Sequence, residues 1–214
     1  MPVSAEVLVN TTTLGDQSLP TITVLTGGGY VVTWYSNPQD GSGIDVYAQL
    51  FNANGNPLGI ETLVNTFTAS DQYYPDVTAL SDGGYVIAWT SFQDGSSTGV
   101  YTQRYDANGN RLGGETLVNT TTAGAQQEPA IVGLAGGGYV VTWMTASLDG
   151  SGWGIGSQRY DANGSPVGIE TRVNTTTLGG QTSPDVSALS DGGYVGVWQS
   201  HQQDALARIH RMTH

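Results

Sequence analysis

Gly83-Gly84-Tyr85-Val86-Ile87-Ala88-Trp89 is the stretch whose reading decides the fold. Two glycines mark a turn, and the chain then alternates. Tyr85, Ile87 and Trp89 fall on one side of an extended strand, Val86 and Ala88 on the other. Both sides are apolar, so the strand predicts a sheet covered on both faces. The same pattern, Gly-Gly-Tyr-Val-x-x-Trp, ends at Trp34, Trp89, Trp143 and Trp198. A second landmark, Gln-x-x-Pro, stands at Gln17/Pro20, Gln72/Pro75, Gln126/Pro129 and Gln181/Pro184. Both advance by 55, 54 and 55 residues, which establishes a tandem repeat.

Each unit reads as four short strands. In the second copy, strand A follows Pro75, strand B is Tyr85–Trp89, strand C is Val100–Tyr105 and strand D lies around Glu115–Asn119. The turn between C and D, Asp106-Ala-Asn-Gly-Asn110, carries the Asn-Gly pair of a tight hairpin. Units run over about 11–65, 66–119, 120–174 and 175–214, the last lacking a strand D of its own. Ala5-Glu6-Val7-Leu8-Val9-Asn10 matches Ile60-Glu61-Thr62-Leu63-Val64-Asn65, which is a strand D. The expectation is one all-β domain over 1–214: a four-bladed β-propeller with four antiparallel strands per blade, the N-terminal strand completing the last blade and removing its open edge. Half of an eight-bladed dimer, a linear β-solenoid and a sandwich-type arrangement remain as alternatives.

Composition narrows the function. Eighteen acidic groups face six Arg and no Lys, a formal net charge of −12, which repels nucleic-acid phosphates and anionic lipid. No apolar run approaches the ~20 residues that span a bilayer, and Met1–Glu6 has no basic, apolar leader. The absence of Cys excludes disulfides and thiolate chemistry.

The consensus Gly-Gly-Tyr-Val-Val-Thr-Trp, Gln-Asp-Gly-Ser-Gly, Tyr-x-Gln-Arg-Tyr-Asp-Ala-Asn-Gly and Val-Asn-Thr-Thr-Thr resembles tandem repeats of very large bacterial surface and secreted proteins, the RTX-like hemolysin-type calcium-binding proteins and adhesins. The resemblance covers Ala5 to about Met212 and implies an extracellular or cell-surface bacterial setting and adhesion. The Gly-Gly-x-Gly-x-Asp nonapeptide of those proteins is absent, so their calcium sites do not carry over.

Strand topology gathers the D-to-A and B-to-C connections at one end. That end collects Gln17, Gln72, Gln126 and Gln181 with the loop aspartates Asp40, Asp94, Asp149 and Asp204. Eight such groups on a ring form a candidate sugar-binding set, and Trp153 in its Gly-rich loop is a candidate stacking platform. The competing reading is structural: Gln satisfies backbone groups and Asp caps its own turn. The four recurring Trp belong to the core. Glu6, Glu61, Glu115 and Glu170 recur in strand D and Arg104, Arg159 and Arg211 in strand C, which predicts cross-strand ion pairs. The Asp-Ala-Asn-Gly turns present alternating oxygens but no downstream bidentate Glu, so calcium is only a lesser expectation and no cofactor or metal site is assigned.

Catalysis by one substrate needs a set of groups that departs from the repeat. His201, His210 and His214 have no evident carboxylate partner. The sequence therefore predicts no catalytic residues and a non-catalytic multivalent module, a lectin or adhesin unit for carbohydrate or cell-surface glycan, whose repeated sites give avidity. It predicts a monomer or small homo-oligomer with no nucleic-acid partner and no membrane insertion. The alternative is a structural or protein-interaction scaffold of a larger surface protein, calcium-stabilised in one variant.

Overall fold

The computed structural model describes residues 6–37, 39, 43–146, 150, 152–201 and the strand at 207–212. Fifteen strands and no helix appear among them, in four antiparallel sheets. The first sheet holds β1 (Asp16–Val24), β2 (Tyr30–Asn37), β3 (Asp45–Phe51) and β4 (Pro57–Leu63). The second holds β5 (Gln72–Ala79), β6 (Tyr85–Ser91), β7 (Gly99–Tyr105) and β8 (Arg111–Leu117). The third holds β9 (Gln126–Gly133), β10 (Tyr139–Thr145), β11 (Gly154–Tyr160) and β12 (Pro166–Arg172). The fourth has three strands, β13 (Gln181–Ala188), β14 (Tyr194–Ser200) and β15 (Ala207–Met212). Within each sheet the strands pair in sequence order.

The alternation seen in the sequence becomes sheet-on-sheet packing. Val31, Val46 and Val64 on the back of the first sheet meet Val77, Ile87 and Trp89 on the front of the second. Val86, Val100 and Val118 on the back of the second meet Ile131, Val141 and Trp143 on the front of the third. Val140 and Leu134 then meet Val186 and Tyr194 of the fourth. The first strands of neighbouring sheets, β1, β5, β9 and β13, lie side by side as the inner strands. Side chains tie them together: Thr23 Oγ1 accepts from Ala79 N at 3.2 Å and Thr78 Oγ1 from Gly133 N at 2.9 Å. Stacked four-stranded sheets with their inner strands in succession are propeller blades.

One latch recurs where each sheet hands over to the next. Asn65, Asn119 and Asn174 use Oδ1 to accept from Val46 N, Val100 N and Ile155 N, each at 2.8 Å. Their Nδ2 groups donate to the following linker, to Phe67 O, Thr121 O and Thr176 O. Strand-D glutamates hold the same linkers from the next sheet. Glu61 accepts from Thr11 N at 2.7 Å, Glu115 from Thr66 N, and Glu170 from Thr120 N at 2.6 Å. Three of the glutamates expected in Glu–Arg cross-strand pairs make these bonds. Arg104 instead reaches Asp82 at 3.7 Å and the Ala162 carbonyl of the neighbouring sheet at 2.7 Å.

The predicted N-terminal strand does not form. Residues 6–10 carry no strand, and β15 has no partner on its outer edge among the described residues. Val9 instead packs on the Val32, Trp34, Tyr47 and Phe51 cluster of the first sheet. That apolar face holds the segment by its side chain, and no backbone ladder follows. None of the apolar clusters among the described residues joins the first sheet to the fourth.

Candidate functional site

Each inner strand carries a bulge just before its proline. The pairing of β5 with β6 shifts between Tyr73 and Asp76, and the other three inner strands shift at the same place. The residue at the bulge is left-handed in all four units: Leu19 (φ 49°), Tyr74 (φ 51°), Glu128 (φ 52°) and Ser183 (φ 51°). Non-glycine residues seldom adopt this region, and β-bulges re-aim side chains at sheet edges. Four such positions stand at one level of four adjacent inner strands, a level called the mouth below. The backbone is the same in every unit while the side chains differ, so the mouth is asymmetric.

Two positions further along, the inner strands carry Thr21, Asp76, Ala130 and Asp185. Asp76 is half-buried, and its two oxygens accept from Val77 N and from Ile131 N of the neighbouring strand, both at 2.9 Å. Burial pushes its carboxyl up to about 6. The two amide bonds pull the other way, and the negative charge of Asp185 adds to the rise. Asp185 is exposed and accepts from Val186 N at 2.8 Å. Burial also raises the Glu128 carboxyl. Three carboxyl groups with unlike surroundings thus stand on the inner strands of three sheets.

Aromatic rings gather beside them. Tyr73 lies 6.0 Å from Tyr35, 6.1 Å from Tyr74 and 6.2 Å from Phe92, ring centre to ring centre. Its hydroxyl donates to Asp71 at 2.7 Å, and burial with that carboxylate lifts its pKa to about 12. Tyr74 and Phe92 stay exposed. Where the second sheet has Phe92, the fourth has His201, whose Nε2 lies 3.0 Å from Thr182 Oγ1. None of these groups recurs in all four units.

The residues singled out by repetition behave differently. Gln72, Gln126 and Gln181 are fully buried, and their amides donate to linker carbonyls such as Ser70 O, Ala123 O and Leu178 O. Gln17 is half-buried and donates to Leu14 O at 2.9 Å. These amides hold the chain as it enters each sheet. Asp94 caps its own turn through Ser96 N and Ser97 N. Asp40, Asp149 and Asp204 lie outside the described residues. Trp153 is half-buried and packs against the Met144, Ile155, Val173 and Trp198 cluster. The Asp-Ala-Asn-Gly turns spend their carboxylates locally. Asp106 Oδ1 accepts from Asn108 N and Asn110 N, as Asn52 Oδ1 does from Asn54 N and Asn56 N. The turn needs an acceptor, not a charge. Among the described residues no group of three or more acidic or His side chains is placed to hold a metal.

Asp76 makes stability depend on pH. Its folded value of about 6 exceeds the ordinary 3.8, so folding favours its protonated form. The contribution is full below about pH 3.8 and is lost as pH rises through about 6. At about 1.4 kcal/mol per unit, this is about 2–3 kcal/mol. Between pH 7 and pH 4 the wild type is expected to gain that much on Asp76→Asn in urea unfolding. A difference that stays flat across this range contradicts the assignment.

No family model matches the sequence, and no curated protein matches it. Solved structures share the fold at low identity. A thermostable family-43 glycoside hydrolase is 14% identical with a TM-score of 0.57, over 93% of this chain and 72% of that one. An endo-arabinase of Bacteroides thetaiotaomicron gives 13% and 0.59 over 97% and 79%. An α-L-arabinanase of Penicillium chrysogenum, solved with arabinobiose, gives 16% and 0.61 over 92% and 66%. These are five-bladed β-propellers, which supports the blade architecture and leaves a four-bladed ring without support. The expectation of a non-catalytic lectin-like module is corrected by the same finding, because the chains that share this fold are glycosidases.

Proposed function

We propose that the chain hydrolyses glycosidic bonds of a neutral polysaccharide at the mouth of its inner strands. The carrying observation is the split between two inner-strand carboxyl groups, Asp76 half-buried and raised to about 6, Asp185 exposed. Glycoside cleavage uses one protonated and one ionised carboxyl group on either side of the bond. Asp76 serves as the acid that protonates the leaving oxygen. Asp185 is the opposing carboxylate, supporting the positive charge that develops on the sugar ring, and water completes the hydrolysis. Glu128 lies at the rim, and Tyr74 and Phe92 offer faces on which sugar rings stack. A net charge of −12 disfavours uronate-rich or sulfated chains, hence a neutral substrate. The substrates named for the structural relatives, arabinan and xylan, are the first to try.

Incubation with linear arabinan, xylan and their oligosaccharides at pH 5–6 is expected to release reducing ends, with the rate falling above about pH 6 as Asp76 loses its proton. Absence of release from every neutral polysaccharide tried overturns the proposal.

A further inference from the structure

We infer that the first and fourth sheets are the two walls of a slot for one further sheet of this same repeat. Four independent features of the walls point to it.

The first wall is the front of the first sheet. Ile22 is 62% exposed, whereas its counterparts Val77, Ile131 and Val186 are 6%, 6% and 8% exposed. Each counterpart is covered by the back of the preceding sheet, and Ile22 has none. Val24 is exposed too, and a cleft of about 290 Å³ opens along Val32, Trp34, Pro20 and Leu8. The second wall is the back of the fourth sheet. Leu25, Leu80 and Leu134 are buried and Leu189 is not; Val31, Val86 and Val140 are fully buried and Val195 is not. The three internal junctions show what each wall fits: a back face of Leu and Val against a front face of Val, Ile, Tyr and Trp.

The latches give the same answer. Asn65, Asn119 and Asn174 Oδ1 each accept from the amide of the second residue of a strand C, yet Asn10 Oδ1 has no such donor among the described residues. Thr11, Thr66 and Thr120 amides each donate to a strand-D glutamate, whereas Thr175 N has no such acceptor among the described residues. The outer edge of β15 has no partner strand among the described residues either. One segment of about 54 residues, running from a strand D to the next strand C, answers all of these. Its strand D pairs with β15 and its glutamate takes Thr175 N. Its remaining strands fill the slot, cover Ile22 and Leu189, and give Asn10 its donor. Glu6–Asn10 then becomes the outer strand of the added sheet. Five sheets is also the number in the structures that share this fold. The occupant is therefore a fifth unit of this repeat, and closure upon itself or upon a second copy is what the test must separate from it.

The test appends a second copy of residues 106–160 after 212 and follows amide exchange in peptides covering β1 and β14. The five-unit chain is expected to exchange there at least ~10-fold more slowly than the four-unit chain. Ile22→Lys is expected to leave the melting of the four-unit chain unchanged, to abolish the gain in the five-unit chain, and to contrast with Val77→Lys, which disrupts both. Unchanged exchange in the five-unit chain overturns the proposal. Equal damage from Ile22→Lys and Val77→Lys in the four-unit chain at high dilution shows self-closure and also overturns it. Protection of β1 that appears with concentration, together with sedimentation as a dimer, assigns the slot to a second copy and overturns it equally.

Discussion

Trp89→Ala is expected to lower unfolding stability by about 3–5 kcal/mol, the cost of deleting a fully buried aromatic side chain from a packed interface. Trp89 has no exposed surface and lies between the first and second sheets, against Val31, Val46 and Val64, with Tyr101 stacked 6.4 Å away. Domains of this kind have only about 5–15 kcal/mol in total, so the variant stands near the edge of folding. Its repeat counterpart Trp34 is the control. Trp34 is also buried, but its face meets Val9 rather than a whole sheet. Trp34→Ala is expected to cost clearly less in the same guanidinium titration. Equal losses contradict the unequal covering of the two faces.

Asp185→Asn is expected to reduce hydrolysis by about 10³-fold, with Asp76→Asn similar in size, since each removes one half of an acid–carboxylate pair. The two differ in what they leave behind. Asp185 is exposed and its one amide partner, Val186 N, can be kept by the asparagine oxygen, so folding stays intact. Asp76 holds Ile131 N and Val77 N with two oxygens, and asparagine offers one. Its variant loses an acceptor while shedding the burial cost of charge. Oligosaccharide turnover and melting must therefore be measured together, and the Asp185 variant carries the cleaner reading. Full turnover by Asp185→Asn contradicts its role.

Local pattern carried most of the architecture. Alternation in Tyr85–Trp89 and its three counterparts placed the buried middle strands, and Asn-Gly at 108–109 placed a hairpin turn that the structure contains. Of the two readings the glutamines carried, sugar contact and backbone satisfaction, their hydrogen bonds are those of the second: Gln72, Gln126 and Gln181 donate to linker carbonyls. The mouth was not legible in the repeat. Leu19, Tyr74, Glu128 and Ser183 precede the recurring proline and are the variable letters of an otherwise regular motif. Averaging over units erases them. Asp76 and Asp185 alternate with Thr21 and Ala130 in the same way. Ring closure by Ala5–Asn10 failed at a different level. Its letters match a strand D, but pairing also requires an edge within reach, and Val9 is held on the first sheet instead.

Turnover of a neutral oligosaccharide by the wild type and by the Asp76→Asn/Asp185→Asn double variant, side by side at pH 5–6, bears most directly on the mouth as a reaction site. Release of new reducing ends by the wild type, falling to the uncatalysed background in a double variant that still melts cooperatively, is the predicted result. Equal release by the two proteins would contradict it.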